Sequence, residues 1–377
     1  MSTDLVSVRQ LNRATLARQH LLERVPMPAY DMVHHLVGLQ AQEPRDPYIG
    51  LWSRLVDFSV AELESLLLDR RVVRLAVQRG TVHAVTDDDC LVLRPLAQRV
   101  LSQQLDAHPE YGPQLRGVDL ETVMSTAAEV LAEPRSTRQL RHELAARFPD
   151  HHAAALAFAC RNLLPLIQIP PRGLWSRSGQ VVGTTARAWL GRDVDPIPSV
   201  DDVMVRYVAA FGPATVQDAT IWSRYTGLGE VFDRLRPTMR TYRDGDGREY
   251  FDVPECPLPD GDTPAPIRIL PHYDNVLLSH KHRSRFVGGD VAALNSIWKG
   301  QLGFVGSMLI DGMVSGMWRV DSPKRLVAGS WEPATMTITT LRRLPTAAAA
   351  EVTAEATRFL RFTAPDAGQR VRFATVG

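Results

Sequence analysis

Apolar residues in "SVRQLNRATLARQHLLERV" recur at helical spacing, with Leu11, Leu16, Leu21 and Leu22 on one face, and predict an opening helix. "MPAYDMVHHLVGL" predicts a second helix, entered through a proline suited to a first turn. "DPYIGLWSRLVDF" and "SVAELESLLLDRR" predict two short ones, the latter with Ser59 as N-cap and Glu62 three positions on. The period then changes from helical to alternating. "VVRLAVQRGTVHAV" is β-branched on both sides of Gly80 and predicts a hairpin, the wing of a helix-turn-helix unit.

The same order returns twice. After a helical linker through "LVLRPLAQRVLSQQL", the runs "VDLETVMSTAAEVLAE", "PRSTRQLRHELAARF" and "DHHAAALAFACRNLLPL" predict helices, and "LIQIPPRGLWSRSGQVVGTT" two strands around Ser178 and Gly179. From Ser199, "SVDDVMVRYVAAFG", "PATVQDATIWSRYTGL" and "GEVFDRLRPTM" predict helices, and "RTYRDGDGREYFDV" a hairpin turning at "DGDG". The repetition has no fixed period, so it is one of architecture and not that of a solenoid. Beyond the Pro- and Gly-rich "PECPLPDGDTPAP" the chain turns strand-rich, in "IRILPHYDNVLL", "LGFVGSMLIDGMVSGMWRV" (with "IDGMVSG" a hairpin) and "ATMTITTLRRL". A final helix, "TAAAAEVTAEATRFLRF", follows. The expected fold class is α+β: three tandem winged-helix units, at 1–116, 117–196 and 197–262, forming a concave clamp. A small β-rich module with a closing helix, 263–377, completes it.

Composition adds limits. Of 377 residues, 45% are hydrophobic and 23% charged, the balance of an ordered globular protein. A net charge of +1 supplies no overall field toward nucleic acid or membrane, so any basic binding face must be local. The basic residues are nearly all arginine, since Lys281, Lys299 and Lys324 are the only lysines. GC-rich coding accounts for most of that skew, although arginine's planar fork also suits phosphate and base edges. Cys90, Cys160 and Cys256 lie too far apart for a zinc knuckle or a disulfide framework. With no signal-like start and no apolar run of about 18 residues, a cytosolic protein without membrane contact is expected.

Winged helices commonly bind DNA, one helix in the major groove and the wing along the backbone. Arginines sit at all three predicted wings, Arg70, Arg71, Arg74 and Arg79 flanking the first, Arg172 and Arg177 in the second and Arg240 and Arg243 in the third, with Arg135, Arg138 and Arg141 on the turn of the second unit. Arg45, His83 and the run "SHKHRSRF", with Lys281, Arg283 and Arg285, are further candidate DNA contacts. For each one singly, a solvated charge, or a structural role for His83, is the competing reading. Tandem units in one chain suit a monomeric clamp on double-stranded DNA better than the dimer symmetry typical of regulators, though a non-enzymatic regulator on this fold is the alternative. His272, Asp274, His280 and His282 match no familiar metal-ligand spacing, so neither a metal nor a cofactor is expected.

The chemistry rests on "HHLVGLQAQEPRDPYIGLWSR". Gln40 and Gln42 precede Glu43-Pro44, which forbids a helix from continuing. Extended backbone there turns both amides to one face, whereas a helix would splay them. A polar helix end facing solvent is the competing reading.

"VRQLNRATLARQ", "GLQAQEPRDPYIGLWSR", "RGTVHAV", "LPHYDNVLL" and "LIDGMVSGMW" together resemble the bacterial winged-helix DNA glycosylases of the AlkZ and YcaQ type. The likeness covers essentially the whole chain. It implies a monofunctional enzyme that excises N7-alkylguanine and unhooks interstrand crosslinks. The glutamine–apolar–glutamine motif falls on Gln40, Ala41 and Gln42, and the second glutamine points to the AlkZ branch. A purine alkylated at N7 is already a cationic leaving group, so the enzyme mainly has to place a water and stabilise charge. Two amides can hold that water jointly, and no lysine near the motif offers a Schiff-base lyase step. Because a crosslinked base tethers both strands, an open clamp without base extrusion is expected.

Overall fold

The computed structural model describes residues 4–288, 306–321 and 332–375. Helices form where the periodicity places them: Val8–Arg18, Ala29–His35, Asp46–Arg54 and Val60–Leu68 in the first unit, and Leu120–Val130, Thr137–Arg147 and Ala153–Leu163 in the second. Val200–Phe211, Val216–Ser223 and Leu228–Leu235 build the third. Capping boxes begin three of them, Ser7 with Gln10, Ser136 with Gln139 and Thr215 with Asp218. Two details differ from expectation. The first helix stops at Arg18 because His20 takes a left-handed φ of 52°, folding Leu21 and Leu22 back under it. Ser59 caps nothing with its side chain; Glu62 instead reaches the Ala29 N–H (2.7 Å), serving a helix whose own cap residue is Pro28.

The strands are β1 (Asp4–Leu5), β2 (Leu39–Gln40), β3 (Val72–Ala76), β4 (Val82–Thr86), β5 (Arg135–Ser136), β6 (Leu166–Gln168) and β7 (Val182–Thr185). They continue with β8 (Arg240–Arg243), β9 (Glu249–Asp252), β10 (Arg268–Leu270), β11 (Gly306–Ile310), β12 (Met313–Asp321), β13 (Ala334–Thr340) and β14 (Gln369–Thr375). The first two expected wings are not separate: β3 pairs with β6, Arg74 opposite Gln168, so both hairpins share a six-stranded sheet, β2-β4-β3-β6-β7-β5. The third hairpin, β8–β9, gains β1 as a parallel neighbour.

The C-terminal module is a five-stranded sheet in the order β10 to β14. Its β11–β12 turn places Asp311 (φ 47°) and Gly312 (φ 73°) in the left-handed region, as a two-residue hairpin loop requires. The strand expected from Leu302 is described only from Gly306; 302–305 lie outside the described residues. "IRILPHYDNVLL" is a strand only to Leu270, and Asn275–Leu278 is helical, capped by the Asp274 carboxylate. The closing helix, Thr346–Thr363, is followed by one more strand, β14, parallel to β13. Among the described residues, no helix is long and apolar enough to cross a membrane.

Packing crosses the expected divisions between units. Trp52 of the first unit meets Phe359 of the C-terminal helix at 5.1 Å between ring centroids, and Trp318 meets the same ring at 4.8 Å. Val73 and Leu75 share a second core with Tyr207, Phe211 and Trp222 of the third unit. Buried ion pairs add direction to this packing. Arg54 binds Asp274 through both guanidinium nitrogens (2.9 and 2.8 Å), and Arg18 binds Asp252 likewise (2.6 and 2.9 Å).

Candidate active site

The helix Ala29–His35 ends well before the glutamines. Val37 and Gly38 follow with φ of 53° and 95°, a sharp reversal that a β-branched valine adopts only under constraint. Gln78 Nε2 holds the Val37 carbonyl at 2.9 Å, and a Cβ on Gly38 would lie 2.7 Å from a Val85 methyl. Released from the helix, the chain runs along the edge of β4, with Gln40 opposite His83 and the Ala41 N–H bonded to the Val82 carbonyl (2.7 Å). The backbone at the motif is therefore extended, and the two amides converge: Gln40 Nε2 donates to Gln42 Oε1 at 3.1 Å.

The orientation of both amides follows from a third group. Arg79 Nη2 lies 2.7 Å from Gln40, and a guanidinium only donates, so the atom facing it is Oε1. Gln40 must then present Nε2 to Gln42, which must answer with Oε1. Arg79 sits at φ 57° in the β3–β4 turn beside Gly80 (φ 67°). Its other contacts are the Trp222 carbonyl (2.7 Å), Asn275 Oδ1 (3.2 Å) and His83 Nε2 (3.3 Å). Burial, reinforced by Arg224, lowers its pKa to about 10, leaving it charged at neutral pH. His83 is neutral: burial and the Arg79 charge push its pKa down to about 3. Its Nδ1 therefore carries the proton toward the Thr81 carbonyl (2.9 Å), and Nε2 accepts from Arg79.

Two expected DNA contacts, His83 and Arg285, are thus interior groups, and a third, Arg79, is half-buried with its donors engaged by protein. His83 is 1% exposed, and Arg79 is engaged within the site. Arg285 is 4% exposed, its guanidinium bonded to Thr15, Pro213 and His280. Arg45, Arg138, Arg177, Lys281 and Arg283 are exposed, with Arg45 lying over the Trp175 ring at 5.0 Å. Of the two glutamines, Gln40 is 5% exposed and Gln42 is open to solvent. Sequence reasoning also missed supporting groups. Arg74, among the arginines flanking the first wing, is buried and donates to the Ala41 carbonyl at 2.8 Å. Asn275 accepts from Arg79 and donates to the Gly38 carbonyl (2.9 Å); its only signal was its place in "PHYDNVLL", where Asp274 is committed to Arg54.

A cleft of about 900 Å³ that the sequence did not announce has Glu43, the residue after Gln42, among its walls, with Arg45, Arg172, Trp175, Trp318 and Phe359. Asp46 also lines it, at the start of its helix. Burial, with Glu43 and Asp274 nearby, pushes the Asp46 carboxyl up to about 7 despite an N–H from Tyr273. Among the described residues, no cluster of histidine, cysteine and carboxylate side chains could hold a metal ion.

Comparisons with known proteins place the chain in a family. No curated protein matches the sequence. Among solved structures, the chain is similar to the DNA glycosylase AlkZ of Streptomyces sahachiroi, with a TM-score of 0.72 at 19% identity, covering 99% of this chain and 100% of that one. The likeness at that identity is one of fold. The family model for AlkZ-like DNA glycosylases matches residues 33–362, nearly the whole chain, and so this protein belongs to the AlkZ-like DNA glycosylase family, enzymes of DNA repair.

Proposed function

We propose that the enzyme hydrolyses the N-glycosidic bond of N7-alkylguanine in double-stranded DNA, crosslinked guanines included, with a water held by Gln40 and Gln42. The observation that carries this reading is the Gln40–Gln42 contact of 3.1 Å with its amide order set by Arg79. Gln42 Oε1 accepts one hydrogen bond from Gln40 and retains a second lone pair for a water. Gln42 is the exposed member, so it meets the nucleophile, and Gln40 orients it. The C1′–N9 bond breaks with its electron pair passing to the purine, which neutralises the cation. The water oxygen bonds to C1′, and its proton leaves to solvent. The products are the free alkylpurine and an abasic site.

The amides need not take up a proton, because the base departs neutral. Tolerance of bulky or crosslinked substituents is supported by volume, since the cleft of about 900 Å³ lined by Glu43 and Arg45, next in sequence to Gln42, far exceeds what a methyl group needs. The duplex would lie along the exposed arginines and Lys281, in the concave face of the helix–hairpin units.

The test is single-turnover release of 7-methylguanine from methylated DNA, repeated with a nitrogen-mustard-crosslinked duplex. Gln40→Ala and Gln42→Ala should each slow release by about 10²-fold, the scale on which misplacing a reacting group acts. Equal release by wild type and both variants would sink the proposal.

A further inference from the structure

We propose that Arg79 is the positioning residue of this reaction, and that Asn275 makes its placement depend on docking of the C-terminal module. The inference rests on the roles given above to Gln40 and Gln42. Arg79 is joined to four separate parts of the chain: β2 through Gln40, β4 through His83, the third unit through the Trp222 carbonyl, and the C-terminal module through Asn275. Among the described residues no carboxylate pairs with Arg79, and its guanidinium directs its charge at the Gln40 amide oxygen. Drawing electron density to that oxygen makes Gln40 Nε2 a stronger donor toward Gln42 Oε1. The same bond prevents the Gln40 amide from turning over, which would present an oxygen to an oxygen at 3.1 Å and free Gln42 to rotate.

Asn275 supplies the link to the rest of the molecule. Its side chain bridges Arg79 and the Gly38 carbonyl at the reversal that launches the motif. The helix it begins is fixed by Asp274, whose carboxylate is sealed against Arg54. Separation of the C-terminal module would therefore remove one brace of Arg79 and one brace of Gly38 together.

A guanidinium can be deleted and returned. Position 79 has φ 57°, which glycine adopts without cost, so Arg79→Gly leaves the turn relaxed. In Arg79→Gly, single-turnover release of 7-methylguanine should fall by about 10²-fold while the Kd for undamaged duplex moves by less than about threefold. Guanidinium chloride at about 50 mM should restore at least about tenfold of the loss, whereas potassium chloride at equal ionic strength should not. Asn275→Ala should show a smaller loss of rate, again without a change in Kd. A wild-type rate in Arg79→Gly, or a loss in a folded variant that guanidinium does not relieve, overturns the inference. The underlying reading fails separately, through a wild-type rate in Gln42→Ala.

Discussion

At the scale of single residues the site is made of groups that do not titrate near neutral pH. Amides neither gain nor lose a proton there. His83 becomes charged only as the pH falls toward about 3, and Arg79 loses its charge only as the pH rises toward about 10. Between those limits the hydrogen-bond chain from His83 through Arg79 and Gln40 to Gln42 keeps one protonation state. The enzymatic rate constant for 7-methylguanine release, corrected for spontaneous depurination, should therefore be flat from about pH 5.5 to 8.5. Asp46, raised to about 7 and lining the adjacent cleft, is the group that would break the plateau. An inflection near neutrality that vanishes in Asp46→Asn would move part of the chemistry from the amides to that carboxylate. A common face for Gln40 and Gln42 was one of two readings the sequence offered, from Pro44 and a spacing of two, and their 3.1 Å contact bears out the extended one. The inward turn of Arg79 was not, because an arginine at a wing tip reads as a phosphate contact until Gln40, Trp222 and Asn275 are brought around it.

Elements were legible where the pattern was local. Helix periodicity, the "DGDG" turn and the Asp311-Gly312 turn depend on neighbouring residues, and they appear where expected. The strands β1, β5 and β14 were missed, and Leu39 of β2 was read as helix, because two-residue strands carry no alternation, and β14 follows a helix that looked terminal. The β3–β6 pairing was equally hidden, for nothing in either hairpin names its partner. What locks elements together is also non-local: Arg54 and Asp274 lie far apart in sequence and are both fully buried. Removing one partner strands a buried charge, so Asp274→Ala should cost about 3–5 kcal/mol and lower Tm markedly in a thermal melt. The double change Arg54→Met, Asp274→Leu removes both charges and should recover most of that loss. A double variant as unstable as the single would mean that loss of the Asp274 cap on the Val276 N–H, and not the stranded charge, sets the cost.

At the scale of the whole molecule the net charge of +1 leaves binding to local groups, and the structure separates the arginines into two classes. Arg79 and Arg285 spend their donors inside the protein, while Arg138, Arg177 and Lys281 are exposed on three different stretches of chain. Each lysine or arginine that neutralises a phosphate releases about 0.9 counterion, which sets the slope of log K against log salt. If these exposed groups follow one duplex, Arg138→Gln, Arg177→Gln and Lys281→Gln should each weaken binding to undamaged DNA. Each should also reduce the magnitude of that slope by about 0.9, measured by fluorescence anisotropy across a salt series. Arg79→Gly should leave the slope where it is, because its guanidinium donors are taken up by Gln40, Trp222 and Asn275. A slope that falls in Arg79→Gly and stays fixed in all three exposed variants would place the DNA against the β3–β4 turn and away from the exposed basic groups. That arrangement would keep the glutamines within reach of DNA but remove the path along Arg138, Arg177 and Lys281 on which the duplex is proposed to lie.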